Sequence, residues 1–291
     1  MKEIINSVGI DIGTSTTQLI FSKLTIENLA SSYTVPRISI VNTEVVYRSD
    51  IYFTPLTDKS TIDAAQVKRI VESEYDKAKM NKQDLQTGAV IITGETARKE
   101  NANDVLNALS HMAGDFVVAT AGPDLESVLS AKGAGTDVMS KDDRNTIANI
   151  DIGGGTSNLA LIRDGKIERT GCLNVGGRLL KFDGGIVTYI YEKTRKMIQA
   201  ENLHISEGMK ADEGEFKKLA AVMGRHLAMA LNLMAKDEMH KVLYTNDGDA
   251  IKADIVLDGV TFSGGVADVI YHPDGRAPFE YGDMGVFLGN A

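Results

Sequence analysis

Asp11 and Asp151 each sit near the end of an apolar run and lead into a turn made of glycine and hydroxyl residues. The first segment, Val8-Gly-Ile-Asp-Ile-Gly-Thr-Ser-Thr-Thr-Gln-Leu-Ile-Phe21, lies without a gap over Ala148-Asn-Ile-Asp-Ile-Gly-Gly-Gly-Thr-Ser-Asn-Leu-Ala-Leu161. The offset is 140 residues (151 minus 11), and Ile, Asp, Ile, Gly, Thr and Leu coincide. These residue types suit the binding of an anion with its cation. Gly13 and Gly153 permit backbone angles that a Cβ forbids and leave room for an approaching anion. Successive backbone N–H groups in such a turn form a concave anion site. Thr14, Ser15, Thr16 and Thr17 add hydroxyl donors to the first turn, and Thr156 and Ser157 add them beside Gly154 and Gly155 in the second. The two carboxylates supply charge for a hard cation. Mg²⁺ takes few carboxylates and keeps several waters, so contact through water suffices.

One Asp-Ile-Gly-Thr alone is more often a plain strand and turn, by roughly three to one. Two copies in register reverse that preference, the more so because a later strand run ends in Ser263-Gly264-Gly265. That glycine pair lets a flat base or a ribose approach the backbone closely. Without the hairpins it would read as a helix-entry turn.

The elements that must hold these turns are visible in the pattern around them. Each segment reads as a strand, a turn and a strand, and Arg163-Asp-Gly-Lys166 marks a further tight turn. The same hairpin opening each half predicts two domains of related fold, 1–146 and 147–291, divided near Thr146. Ser60-Thr-Ile-Asp63 resembles a capping box for a helix running to about Lys79. Ala89–Thr93 and Phe116–Ala119 read as short strands, Asn103–Ala113 as a helix stopped by Gly114, and Pro123 as the start of a helix ending at Lys132. Phe216, Leu219, Met223, Leu227, Ala230 and Met234 recur every three or four residues, the apolar face of one long helix. Tyr47–Phe53 reads as strand, and Asp254–Val266 as a strand entering the Ser-Gly-Gly turn. Alternating strands and helices predict an α/β fold with a mainly parallel or mixed sheet.

Composition narrows the function class. The chain has 291 residues, 43% of them hydrophobic, and a formal net charge of −9. That charge argues against a nucleic-acid surface, which needs clustered Lys and Arg. No run of about eighteen apolar residues is present, so no membrane span is expected, and Met1–Asn6 lacks a signal-peptide pattern. The single cysteine, Cys172, excludes an internal disulfide and fits a reducing compartment such as the cytoplasm. His111, His204, His226, His240 and His272 show no metal-ligand spacing, and His226 and His240 are expected to decorate a helix.

The paired turns with the Ser-Gly-Gly motif resemble the actin, Hsp70 and sugar kinase ATPase superfamily. The resemblance implies an actin-like ATPase fold of two ribonuclease-H-like domains with a nucleotide cleft between them, holding ATP or ADP with Mg²⁺. It implies that Asp11 and Gly13–Thr17 form a first phosphate motif, Asp151 and Gly153–Thr156 a second, and Ser263–Gly265 the adenosine motif. Ala121–Gly133 resembles the helix connecting the domains. A narrower likeness runs through Ser7–Phe21, Ile91–Ala97, Gly114–Ala119, Ala121–Val128 and Cys172–Leu180, which resemble the reactivating factors of ethanolamine ammonia-lyase. That family implies a chaperone-like ATPase that exchanges damaged for intact cobalamin on the lyase, in the cytoplasm or the ethanolamine-utilisation microcompartment.

Two departures stand out. Gly122 precedes Pro123 where Hsp70-like proteins carry glutamate, so the residue orienting the attacking water is open. Glu95 is the first candidate and Asp124 the second; for each, a solvated loop or helix-start carboxylate is an equal reading. Family members also extend past the equivalent of Gly282–Ala291, so a C-terminally shortened second domain is expected. The alternative function is a small-molecule kinase using the same phosphate grip on a substrate hydroxyl. Nothing points to an actin-like filament, and one cysteine is too few for a four-thiolate iron–sulfur site. The oligomeric state, a homo-oligomer included, is open.

Overall fold

A computed structural model describes residues 2–13, 16–30, 35, 37–57, 61–93, 101–110, 115–120, 122–245, 255–273 and 275–291. The chain divides into two compact units, Met1–Gly122 and Pro123–Ala291.

In the first unit, β1 (Lys2–Ile12), β2 (Thr16–Asn28) and β3 (Ile38–Arg48) form an antiparallel meander, and the short β4 (Tyr52–Phe53) returns to the start of β2. Helix α1 (Ala64–Ala78), β5 (Thr87–Ile92), α2 (Ala102–Ser110) and β6 (Asp115–Thr120) follow. Along the sheet the order is β3-β2-β1-β5-β6, with β5 and β6 parallel to β1. Alternation along the strands places Val8, Ile10 and Ile12 on one face with Leu19 and Phe21. There they meet Val67, Val71 and Tyr75 of α1 and Val105, Leu106 and Leu109 of α2. The Phe21 and Tyr75 rings meet edge-on, 4.9 Å apart.

Helix α1 begins later than the Ser60 signature suggests. Its N-cap is Asp63, whose Oδ1 accepts from the Gln66 N–H at 2.9 Å, while Ser60 itself lies outside the described residues. At the other end Lys79 adopts a left-handed conformation (φ 53°) and closes the helix. The expected strand Tyr47–Phe53 is split between β3 and β4 by residues 49–51. The end expected for α2 at Ala113–Gly114 also lies outside the described residues.

The second unit opens with α3 (Pro123–Gly133) and α4 (Thr136–Asp143), then β7 (Thr146–Ile152), β8 (Ser157–Arg163) and β9 (Lys166–Leu173). A separate hairpin of β10 (Leu180–Asp183) and β11 (Ile186–Ile190) precedes α5 (Glu192–Ala200), α6 (Glu213–Ala230) and α7 (Glu238–Leu243). Strand β12 (Gly259–Ser263), α8 (Ala267–Tyr271) and α9 (Gly285–Gly289) complete it. The main sheet runs β12-β7-β8-β9, an antiparallel meander with β12 parallel to β7. Each unit therefore builds on a three-strand meander whose first strand takes a parallel neighbour. Strand β8 is buried on both faces. Leu159 and Leu161 enter the main core, while Ala160 and Ile162 pack with Ala131 of α3. Two helices that precede the second hairpin thus rest on its own sheet, which is why the units divide at Gly122 and not near Thr146.

Helix α6 buries the expected stripe Phe216, Leu219, Met223, Leu227 and Ala230, but it stops at Ala230, and Met234 lies exposed beyond it. His226 and His240 lie on helices α6 and α7, as expected, but not at the surface. His226 and His240 are buried, 2% and 0% exposed, with their rings stacked 5.8 Å apart at 15°. Burial pushes the His226 pKa down and favours the neutral ring. The strand expected from Asp254 begins at Gly259, and Asp254 lies outside the described residues. Among the described residues no helix is long and apolar enough to cross a membrane.

Candidate phosphate hairpins and their supports

The two hairpins close in the same way. In the first, Asp11 faces Gln18 and Ile12 faces Thr17; in the second, Asp151 faces Asn158 and Ile152 faces Ser157. The Gly13 N–H donates to the Thr16 carbonyl at 2.8 Å, and the Gly153 N–H to the Thr156 carbonyl at 2.9 Å. Gly154, Gly155, Thr16 and Thr156 are partly exposed at these turns, whereas Thr14 and Ser15 lie outside the described residues.

Two of the expected donors point elsewhere. Thr17 and Ser157 are fully buried, because alternation sets them on the core face with Leu19 and Leu159. The Thr54 hydroxyl donates to the Gly13 carbonyl at 2.7 Å, which leaves the Thr17 hydroxyl as donor to Thr54 at 3.1 Å. The Ser157 hydroxyl donates to the Val175 carbonyl at 2.7 Å. Both side chains brace a turn from within.

The carboxylates differ in surroundings. Asp11 is exposed and its Oδ1 accepts from the Thr93 hydroxyl at 3.2 Å; the Thr93 N–H in turn bonds the Ile12 carbonyl. Asp151 ends a relay of side chains across β7 and β12. Thr136 donates to Thr261 (2.7 Å), Thr261 to Asn149 (2.9 Å), Asn149 to Ser263 (3.1 Å) and Ser263 to Asp151 (2.8 Å). Bonds aligned in one direction polarise one another toward the terminal acceptor. Burial still pushes the Asp151 pKa up, against the hydrogen bonds from Ser263 and Asn158, and among the described residues no Lys or Arg acts on it. A carboxylate so placed gains from a cation, so the donor set fits a hard divalent ion.

Ser263, expected at the adenosine motif, therefore spends its hydroxyl on Asp151. The glycines after it have different duties. Gly264 is left-handed (φ +83°), and a Cβ there would stand 2.6 Å from the Ile152 carbonyl oxygen. At Gly265 a Cβ would meet no atom of the described residues within 4 Å, which leaves that exposed backbone open to a ligand.

A third support escaped the sequence reading. The Gly177 N–H bonds the Gly153 carbonyl at 3.0 Å and the Arg178 N–H bonds the Gly154 carbonyl at 2.7 Å. A Cβ on Gly176 would lie 2.5 Å from the Gly154 carbonyl oxygen. Arg178 Nε holds Asp283 Oδ2 at 2.9 Å with both side chains largely buried. The Gly176-Gly177 pair was the available signal, since adjacent glycines mark close backbone approach. Of the two candidates for orienting water, Asp124 lies in the first turn of α3 and accepts from the Thr170 hydroxyl of β9 at 2.6 Å, which pins helix to strand. Glu95 lies outside the described residues.

The fold is shared with solved structures of low sequence identity. A Ppx/GppA family member from Aquifex aeolicus superposes with a TM-score of 0.51 at 16% identity, covering 96% of this chain and 73% of that one. An exopolyphosphatase-like protein does so at 0.50 and 15%, covering 91% and 68%. These neighbours have the actin-like ATPase fold, and so does this chain. Sequence relatives are nearer. Ethanolamine ammonia-lyase reactivase EutA of Salmonella typhimurium is 38% identical over 290 residues, and that of Escherichia coli 38% over 291. Each match covers 98% of this chain, which spans 60% of the length of these relatives. The family described as ethanolamine utilisation protein EutA matches residues 2–291, and the chain belongs to that family.

Proposed function

We propose that this chain is the nucleotide-binding portion of a reactivase for ethanolamine ammonia-lyase, and that both hairpins engage ATP or ADP with Mg²⁺. The observation carrying this reading is the identical closure of the two turns, each with an aspartate two residues before its glycine. In that reading the turn backbones cradle phosphate oxygens, while Asp11 and Asp151 face the cation, directly or through water. Mg²⁺, when bound, offsets phosphate charge. Gly265 leaves its backbone open to the adenosine. The two curated relatives are named as reactivases of the lyase, and cobalamin exchange on that enzyme is the activity proposed. The lyase's own location, cytoplasm or microcompartment, would then be shared by this chain.

Calorimetric titration of ATP with Mg²⁺ tests the site. Asp11→Ala and Asp151→Asn are each expected to weaken binding by at least about tenfold, the scale of a lost charge-assisted contact. Asp151→Asn carries a second signature. A carboxyl whose folded pKa is raised costs stability above its unfolded pKa, and that cost is relieved as pH falls through the raised value. The ligand-free Asn variant is therefore expected to melt no lower than the parent at neutral pH. Undiminished nucleotide binding in both variants would sink the two-hairpin site.

Reactivation further requires that nucleotide change the chain's affinity for the lyase. A tenfold difference corresponds to about 1.4 kcal/mol, within ordinary allosteric coupling. Lyase binding measured with ATP, with ADP and without nucleotide is expected to differ among the three. Equal affinities would remove the coupling.

A further inference from the structure

Glu74 is a carboxylate with no exposed surface in the middle of α1, a place where an apolar side chain would pack at lower cost. Two tyrosines from different strands converge on it. Tyr47 of β3 donates to Oε2 at 2.8 Å and Tyr52 of β4 donates to Oε1 at 2.5 Å. Lys77 Nζ, one helical turn on, lies 2.7 Å from the same Oε1 and 2.7 Å from the Tyr52 hydroxyl. Burial works to raise the Glu74 pKa, but the hydrogen bonds from Lys77, Tyr52 and Tyr47 outweigh it and set the group below the usual carboxylate range.

The two tyrosines lead to different places. Tyr47 belongs to β3, which pairs with β2 over residues 20–28, away from the turn. Tyr52 belongs to β4, which pairs with the opening residues of β2: Thr17 faces Tyr52 and Thr16 faces Phe53. The next residue, Thr54, donates to the Gly13 carbonyl and accepts from Thr17. From Glu74 the connection to the first hairpin thus runs through one hydroxyl and two residues of main chain.

We propose that Glu74 is a positioning residue for the first hairpin: through Tyr52 it sets β4, and through β4 and Thr54 it holds the Gly13 turn in its anion-receiving shape. The nucleotide part of this inference rests on the function proposed above; the ordering of the turn does not. A carboxylate suits the task because its two oxygens accept from two strands at once, at fixed angles. An apolar contact would tolerate sliding.

Tyr52→Phe and Tyr47→Phe make a matched pair, since each removes one hydroxyl donor from the same carboxylate. Two readouts separate a positioning role from general stabilisation. Amide exchange of Gly13, followed by NMR without nucleotide, reports whether the Gly13–Thr16 bond holds. Titration with ATP and Mg²⁺ reports affinity. In Tyr52→Phe the Gly13 amide is expected to exchange about five- to tenfold faster, and affinity to fall by a similar factor, the range set by one hydrogen bond. In Tyr47→Phe neither is expected to move, although both variants lose comparable thermal stability. Equal acceleration in the two variants, or none in Tyr52→Phe, overturns the proposal whether or not nucleotide binds. If the exchange contrast appears in a protein that binds no nucleotide, the turn-positioning role stands and the nucleotide reading falls.

Discussion

Phe216→Ala is expected to cost the second unit about 3–5 kcal/mol, the upper range for a deleted core aromatic. The ring is 1% exposed and lies among three others. Phe182, Phe287 and Phe279 have their centroids 5.4, 5.5 and 6.2 Å away, and the Phe287 contact is edge-on at 90°. These partners come from β10, from α9 and from the residues between α8 and α9, so no single element can shift to refill the space. Such a deletion loses the transfer free energy of the ring and leaves a cavity as well. Scanning calorimetry should show the second unit melting well below the parent. A change under about 1 kcal/mol would mean that the cluster collapses onto the gap and is less tightly packed than it looks.

Gly264→Ala is expected to destabilise the same unit by about 2–4 kcal/mol, from overpacking and left-handed strain together. The nearest atoms to the added Cβ are the carbonyl oxygen, carbonyl carbon and nitrogen of Ile152, at 2.6, 2.8 and 3.0 Å. All three are backbone, so no flexible side chain can swing aside. Gly265→Ala, one residue on, meets nothing among the described residues within 4 Å and is expected to leave the melting temperature nearly unchanged. Its cost should fall on nucleotide affinity instead, if the base or ribose lies against that backbone. Similar melting shifts in the two variants would contradict the assignment of one glycine to packing and the other to the ligand.

Much of the architecture was legible because it repeats. The 140-residue offset in sequence returns as identical pairing, Asp11 with Gln18 and Asp151 with Asn158, and as the same closing bond in each turn. Strand alternation also contained information left unused. Thr17 shares parity with Leu19 and Phe21, which places its hydroxyl inside; counting by residue type had assigned it to the ligand. His226 tells the same lesson on a helix, where it follows Leu219 and Met223 by seven and three residues and so belongs to the buried stripe. Other features had weaker signals. Helix α4 is polar along most of its length, starts from a left-handed Gly135 and has no apolar period. The relay that ends on Asp151 draws Thr261 and Ser263 from β12 and starts at Thr136 of α4, and pairing over such distances is set by tertiary packing that local patterns do not encode. By residue type Glu74 is one more charge on α1. Only the positions of Tyr47 and Tyr52 reveal it as an interior group.

The span between β7 and β12 has a consequence in time. Their pairing joins residues 112 apart (Gly259 to Ile147), whereas β7, β8 and β9 are joined by tight turns. Closing a long loop before its contacts can reward it is slow, so the meander is expected to form early and β12 to dock late. The nascent second unit therefore acquires Asp151 and its turn well before it acquires Ser263. During that interval the carboxylate lacks the end of its donor relay and the glycines that follow. The donor relay onto Asp151 is thus complete only once β12 has docked, and a brief detachment of β12 alone would break it at Ser263 while the β7–β8 hairpin keeps its own pairing.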